Sequence, residues 1–342
     1  MGKNYYKELT AIEKTVDWAK SQSVEGLTDF INSYLESPSI YIASGGSFSA
    51  CAFAEALSLR CGQMAKAVTP YTYIHSGLTK IPSKVLLISA SGKNKDINRA
   101  FCEALESEKQ MIAGLSVGRG SILSQQFEQA GNKTFFGYPI PTRHDGFLAT
   151  NSLVAFYIFL YRAFGYNDLD DLQCKADPTF LEKTKTFVEM LKNIETNTFS
   201  RFTAFLHKLE GIDSFFILYS PYSQAAALDL ESKFSEAAIG NTQLADFRNF
   251  AHGRHNWFTQ RPGQTGIICL VTPQDKDMAY LTLSFLPEHI PVLILESIHE
   301  SPLAMIDLLI KGFHLCHEMA MRWGLEIGNP AVPPYGVQLY NL

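Results

Sequence analysis

The stretch Lys84-Val-Leu-Leu-Ile-Ser-Ala-Ser-Gly-Lys-Asn94 decides the fold. Its first half, Lys84–Ser89, is a short, nearly unbroken apolar run rich in branched residues. A strand buried on both faces reads this way, whereas a strand with one wet face alternates. Ser91-Gly92 turns the chain, and Asp96–Leu105 follows with helical spacing. A buried strand that feeds a helix through a Ser-Gly turn is the unit of a parallel sheet covered on both sides.

The same rhythm extends in both directions. Upstream, Leu9, Ile12, Val16 and Ala19 recur at helical spacing, and a second short helix is expected over Gly26–Leu35. Ser39–Ala43 reads as a strand, Gly45-Gly46 as a turn, and Ser47 as the N-cap of a helix reaching about Arg60. Downstream, Gln110–Val117 reads as strand, Ser121–Ala130 as helix, Lys133–Phe136 as strand and Thr150–Phe164 as helix. Gly165–Pro178 is acidic and polar and reads as a linker into a helix around Phe180–Ile194. The pattern then restarts: strand Ser214–Tyr219, helix Ser223–Ala238, strand Gly266–Val271, helix Lys276–Phe285, strand Pro291–Glu296 and helix Leu303–Trp323. The expected fold is α/β, two units each with a parallel sheet flanked by helices in three layers. The expected boundaries are N-terminal helices over 1–35, a first domain over 36–165, a linker and helix over 166–200, a second domain over 201–328 and a tail over 329–342.

Composition agrees with two globular units. The 342 residues are 46% hydrophobic and 18% charged, enough for a sizeable core. Lys plus Arg number 29 against 34 Asp plus Glu, a net charge of −5 that argues against a nucleic-acid footprint. Met1–Lys20 is polar, with no apolar core before a small-residue cleavage site, so no secretory leader is expected, and the apolar run Ser152–Tyr161 is too short to span a bilayer. The six cysteines are scattered without a Cys-x-x-Cys pair, as expected for a reduced, cytoplasmic protein.

In an open parallel sheet, ligands sit at the carboxyl ends of the strands. Two turns there carry small polar residues: Ser44-Gly45-Gly46-Ser47 and Ser89-Ala90-Ser91-Gly92-Lys93-Asn94. A helix N-terminus offers unpaired N–H groups and partial positive charge, glycines admit an anion to the backbone, and hydroxyls donate. Each turn taken singly is also accounted for by capping; two after consecutive core strands point to an anion site. The turns of the second half, Tyr219-Ser220-Pro221-Tyr222 and Thr272-Pro273-Gln274-Asp275, contain proline, which lacks a donor. Lys233 and Glu236, three apart, are expected on one helix face, where an exposed ion pair is the plain explanation. His314, His317 and Glu318 cluster on the last long helix, but the spacing supplies no full metal ligand set, and no metal or cofactor is expected. His144 and Asp145, before Gly146, read as a turn.

The order strand–Gly-x-Ser–helix, strand–Ser-x-Ser-Gly–helix, with Ala149-Thr150-Asn151 opening the next long helix, resembles the sugar isomerase (SIS) domain family. The likeness is to tandem SIS proteins such as the isomerase half of glucosamine-6-phosphate synthase and the fructosamine-phosphate deglycases. It implies that Ser47, Ser89, Ser91 and Asn94 bind a sugar phosphate, with Gly46, Thr150, Arg254 and His255 as further substrate contacts. Lys233-x-x-Glu236 followed sixteen residues later by His252-Gly253 is similar to that family's Lys-x-x-Glu and His-Gly-Pro. The resemblance implies Glu236 as the base moving a proton between C1 and C2, His252 as the ring-opening group and Lys233 as an electrostatic aid. It further implies a homodimer or dimer of dimers, with the histidine reaching the site from a neighbouring subunit. Arg254 stands in place of the family's proline, Ala90 and Asn94 replace its usual glutamine and threonine, and the tail 329–342 holds no lysine. Met1 is not followed by a cysteine, so no glutamine-hydrolysing domain, and hence no synthase role, is expected. The expected activity is isomerisation of an aldose or ketose phosphate, or deamination or deglycation of an amino-sugar phosphate. The alternative is a phosphosugar-sensing module without turnover.

Overall fold

A computed structural model describes residues 4–170, 172, 212 and 214–340, apart from 108, 110, 119, 132, 133, 262 and 263. Helices α1 (Tyr5–Leu9), α2 (Ile12–Ser21) and α3 (Glu25–Asn32) lead into strand β1 (Ser39–Ile42). There follow α4 (Phe48–Arg60), β2 (Ala65–Val68), α5 (Pro70–His75), β3 (Lys84–Ile88), α6 (Lys95–Glu106), β4 (Met111–Ser116), α7 (Ile122–Gln129), β5 (Thr134–Gly137) and α8 (Asn151–Ala163). The second part comprises β6 (Ser214–Tyr219), α9 (Gln224–Glu236), β7 (Asn241–Asp246), α10 (Phe247–Ala251), α11 (Trp257–Gln260), β8 (Thr265–Val271), α12 (Lys276–Ser284), β9 (Val292–Glu296), α13 (Leu303–Trp323) and α14 (Pro334–Tyr340).

The strands form two sheets, ordered β2-β1-β3-β4-β5 and β7-β6-β8-β9, and every pairing is parallel. The central strands β1, β3 and β8 are buried along their whole length, so their apolar runs are unbroken. The edge strands β2 and β7 were not expected from the sequence. β7, Asn-Thr-Gln-Leu-Ala-Asp, is largely polar because one of its sides is open, and it carries no apolar signal. The linker expected over 165–178 is described only at 165–170 and 172, and the helix expected around 180–194 lies outside the described residues.

One hydrophobic cluster runs from Tyr5 to Ile327 and includes residues of both sheets and of α4, α8, α9 and α13. Two smaller clusters cover the other face of each sheet. Helix α9 packs on α4 and on α13, and α1 packs on α13. These contacts fix the carboxyl ends of the two sheets relative to the helices that bear the candidate chemical groups. Among the described residues, no helix is long and apolar enough to cross a membrane.

Candidate functional site

A cavity of about 880 Å³ opens at the carboxyl end of the first sheet. Its lining includes Ser44, Gly46, Ser47, Ser89, Ser91, Lys93 and Asn94, so both serine turns face one space. The local geometry explains why. Ser47 is not the side-chain cap expected of it: Gly45–Ser47 forms a 3-10 turn, Ser47 itself has φ −76° and ψ −11°, and its side chain makes no capping bond. Its hydroxyl is thereby left available to the cavity. In the second turn, Ser89 Oγ accepts from Gly92 N at 3.1 Å and Ser91 Oγ accepts from Lys93 N at 3.3 Å. With a lone pair engaged by backbone, each hydroxyl keeps its proton to donate. Asn94 Oδ1 caps α6 by accepting from Ile97 N at 3.0 Å, which leaves its amide NH₂ as the part able to meet an anion.

Two glycines make the turns possible. Gly92 has φ +62°, and a Cβ there would come within 2.3 Å of Ser121 Oγ. A Cβ on Gly46 would come within 2.6 Å of Ala149 Cβ. That second contact belongs to a strap, residues 138–149, which also walls the cavity. From the edge strand β5 the strap bonds across the end of β4, with Tyr138 N to Ser116 O at 2.8 Å and Ile140 N to Val117 O at 3.0 Å. It then returns to β1 at Ala149.

Asp145 in this strap does more than turn the chain. Its carboxylate accepts from the backbone N–H groups of Thr150 at 3.0 Å, Asn151 at 3.1 Å and Ser152 at 3.0 Å, and from the Ser152 hydroxyl. It thus occupies the N-terminus of α8 as an internal anion. Buried Glu8 of α1 accepts from Gly146 N at 2.6 Å and holds the strap from behind. Thr150 is fully buried, bonds to Asp145 and Glu8, and does not line the cavity. Arg143, His144 and Asp145 line the cavity, and none was singled out from the sequence as a ligand-binding residue. Only the topology brings a loop from the far edge strand back over β1.

The residues that the sequence resemblance offered for acid–base chemistry lie elsewhere. Lys233 and Glu236 do not share a face: Lys233 is 2% exposed, whereas Glu236, the last residue of α9, is exposed and accepts from Ser232 Oγ at 2.6 Å. Lys233 Nζ instead donates to buried Asp229 at 2.6 Å and sits 4.5 Å above the Phe313 ring. The i, i+4 spacing turns both inward together, where i, i+3 did not. Burial pushes the Asp229 carboxyl up to about 6, against the opposing pull of Lys233. His252 follows α10 and is exposed, as are Arg254 and His255, beyond the open edge strand β7. None of these five residues lines the cavity of its own chain. On α13, burial lowers His314 to about 4 and raises Glu318 to about 7, while His317 lies against the rings of Tyr5 and Tyr6. Among the described residues, no group of three or more His, Cys, Asp or Glu side chains is placed to hold a metal ion.

No protein-family model matches the chain, and no curated protein matches it in sequence. Solved structures do match. The tagatose-6-phosphate ketose/aldose isomerase of Escherichia coli superposes with a TM-score of 0.68 at 15% identity, covering 97% of this chain and 96% of that one. The C-terminal domain of the glucosamine-fructose-6-phosphate aminotransferase of Francisella tularensis gives 0.63 at 13% identity, covering 96% and 97%. The glucosamine-6-phosphate deaminase of Thermotoga maritima gives 0.61 at 14% identity, with the same coverage. The chain therefore has the SIS fold of these phosphosugar proteins, two parallel sheets of five and four strands flanked by helices.

Proposed function

We propose that this protein is a phosphosugar-binding enzyme, acting as an aldose–ketose isomerase or as a deaminase or deglycase of amino-sugar phosphates. The observation that carries the binding half of this reading is the pair of serine turns facing one cavity, with Ser47, Ser89, Ser91, Lys93 and Asn94 around it. Hydroxyl and amide donors beside a helix N-terminus and a lysine suit a phosphate monoester. The test is affinity for a panel of sugar phosphates by calorimetry. Ser89→Ala combined with Ser91→Ala is expected to weaken binding about tenfold or more while costing about 1–3 kcal/mol of stability, since Gly92 N loses its buried acceptor. Unchanged affinity in that variant removes the serine turn from the site.

The chemical half rests on Glu236 and His252. Proton transfer between neighbouring carbons requires a group within hydrogen-bond reach of the substrate. Exposed on the surface of one chain, these two residues would serve a cavity completed by a second subunit, with Lys233 paired to Asp229 within α9 rather than touching substrate. Glu236→Gln is expected to lower turnover of fructose 6-phosphate or a fructosamine 6-phosphate by about 10²-fold or more, with binding retained. Sedimentation should show a dimer or larger assembly. The exposure of Glu236 and His252 also favours a second reading, a sensor that binds without turnover. Tight binding with no turnover across the panel, in wild type and variant alike, selects the sensor.

A further inference from the structure

The strap carries a cation that a single phosphate does not require. It is fixed at three points: the Asp145 carboxylate on the N-terminus of α8, Gly146 N on Glu8, and Ala149 against Gly46. Just before these anchors sits Arg143, with φ +71°, a left-handed conformation uncommon for a residue with a side chain. Such backbone persists where the surroundings over-determine it, and it clusters at ligand sites. Arg143 is exposed and lines the cavity, and among the described residues its guanidinium has no hydrogen-bond or ion-pair partner. The Lys93 ammonium likewise has no hydrogen-bond or ion-pair partner among the described residues. The Asp145 charge is already met by α8.

A phosphate monoester in the serine turn is served by the hydroxyls, Asn94, the start of α6 and Lys93. Arg143, carried by the strap and not by the serine turn, is left over. The cavity, about 880 Å³, lies in the upper part of the roughly 300–1,000 Å³ range of small-molecule pockets and has room beyond a hexose phosphate. Arginine presents a planar fork that fits a carboxylate or a phosphate through two parallel bonds. We infer that the strap selects phosphorylated sugars that carry a second anionic group at the end remote from the phosphate, with Arg143 reading that group. This rests on the phosphosugar reading above.

The experiment compares affinities of the full chain for fructose 6-phosphate, 6-phosphogluconate and fructose 1,6-bisphosphate at fixed ionic strength. Wild type is expected to favour at least one doubly anionic ligand by about tenfold, and the two arms separate a carboxylate from a second phosphate. Arg143→Gln should bring the ratio to about one, and Arg143→Lys should keep part of it. Ser89→Ala with Ser91→Ala should weaken all three ligands together and leave the ratio intact. Circular dichroism of the variants checks that each is folded. If fructose 6-phosphate binds but a second anion adds nothing, or if the preference survives Arg143→Gln in a folded protein, the inference falls while the phosphosugar reading stands. If none of a broad sugar-phosphate panel binds, both fall.

Discussion

The carboxyl ends of the two sheets occupy the same positions in the strand order and have opposite contents. In the first, the turns after β1 and β3 border an open cavity. In the second, the turns after β6 and β8 close on an anion of their own. Buried Asp275 accepts from Thr272 N at 2.8 Å, from Thr272 Oγ1 at 3.1 Å and from the Ser220 hydroxyl. Ser220 Oγ in turn accepts from Tyr222 N at 3.1 Å, and Ser223 Oγ donates to Leu270 O at 3.3 Å. The donors of a Ser-rich turn must meet acceptors. Where the chain supplies a carboxylate, the turn is structural; where it does not, the donors are left for a ligand.

Removing the internal anion tests that contrast most severely. Asp275→Ala strands the Thr272 N–H and two hydroxyls in a buried place and is expected to cost about 3–4 kcal/mol in chemical denaturation. Partial recovery in phosphate or sulfate would show that a foreign anion fills the gap; a variant as stable as wild type would break the comparison. On the open side, Gly92→Ala forces a side chain into a left-handed turn and against Ser121 Oγ. The expected loss is about 1–3 kcal/mol, together with the proposed affinity for sugar phosphates. A stable variant with full affinity would show that the turn tolerates rearrangement.

A third prediction concerns the seam between the two regions. Asp229 on α9 lies beside Ser49 of α4 at 3.5 Å, so an acid from the second part docks behind the first turn. Its neighbours there include Lys233, Glu236, Tyr5, Tyr157 and Cys316. Because burial raises its folded pKa to about 6, the native state binds the proton more tightly than the unfolded chain. Its contribution to stability is fully present below the ordinary carboxylate pKa and is lost as pH rises through about 6. Asp229→Asn should flatten the stability profile between about pH 4 and 6 relative to wild type. An unchanged difference across that window would show that Lys233 holds the carboxylate ionised throughout.

Much of this architecture was legible in the chain. Lys84–Ile88, Ser214–Tyr219 and Thr265–Val271 announced buried parallel strands because both their faces are covered. Leu303–Trp323 announced a helix by its length and period. The serine turns announced their place at the strand ends, and all four residues proposed there for phosphate line the cavity. The edge strand β7 escaped, since a strand open on one side needs no apolar run. The pairing of Lys233 escaped as well, because positions three and four residues away are both helical neighbours and only burial chose Asp229 over Glu236.

By itself, then, the sequence determined the buried strands, the long helices and the donor-rich turns, for those follow from local chemistry and short-range period. Tertiary structure decided which turn stays open. The carboxylate of Asp275 closes one end, and the strap that brings Arg143 and Asp145 over β1 shapes the other. Both outcomes depend on residues brought together only when the sheets assemble, where a buried donor takes whichever acceptor lies within reach.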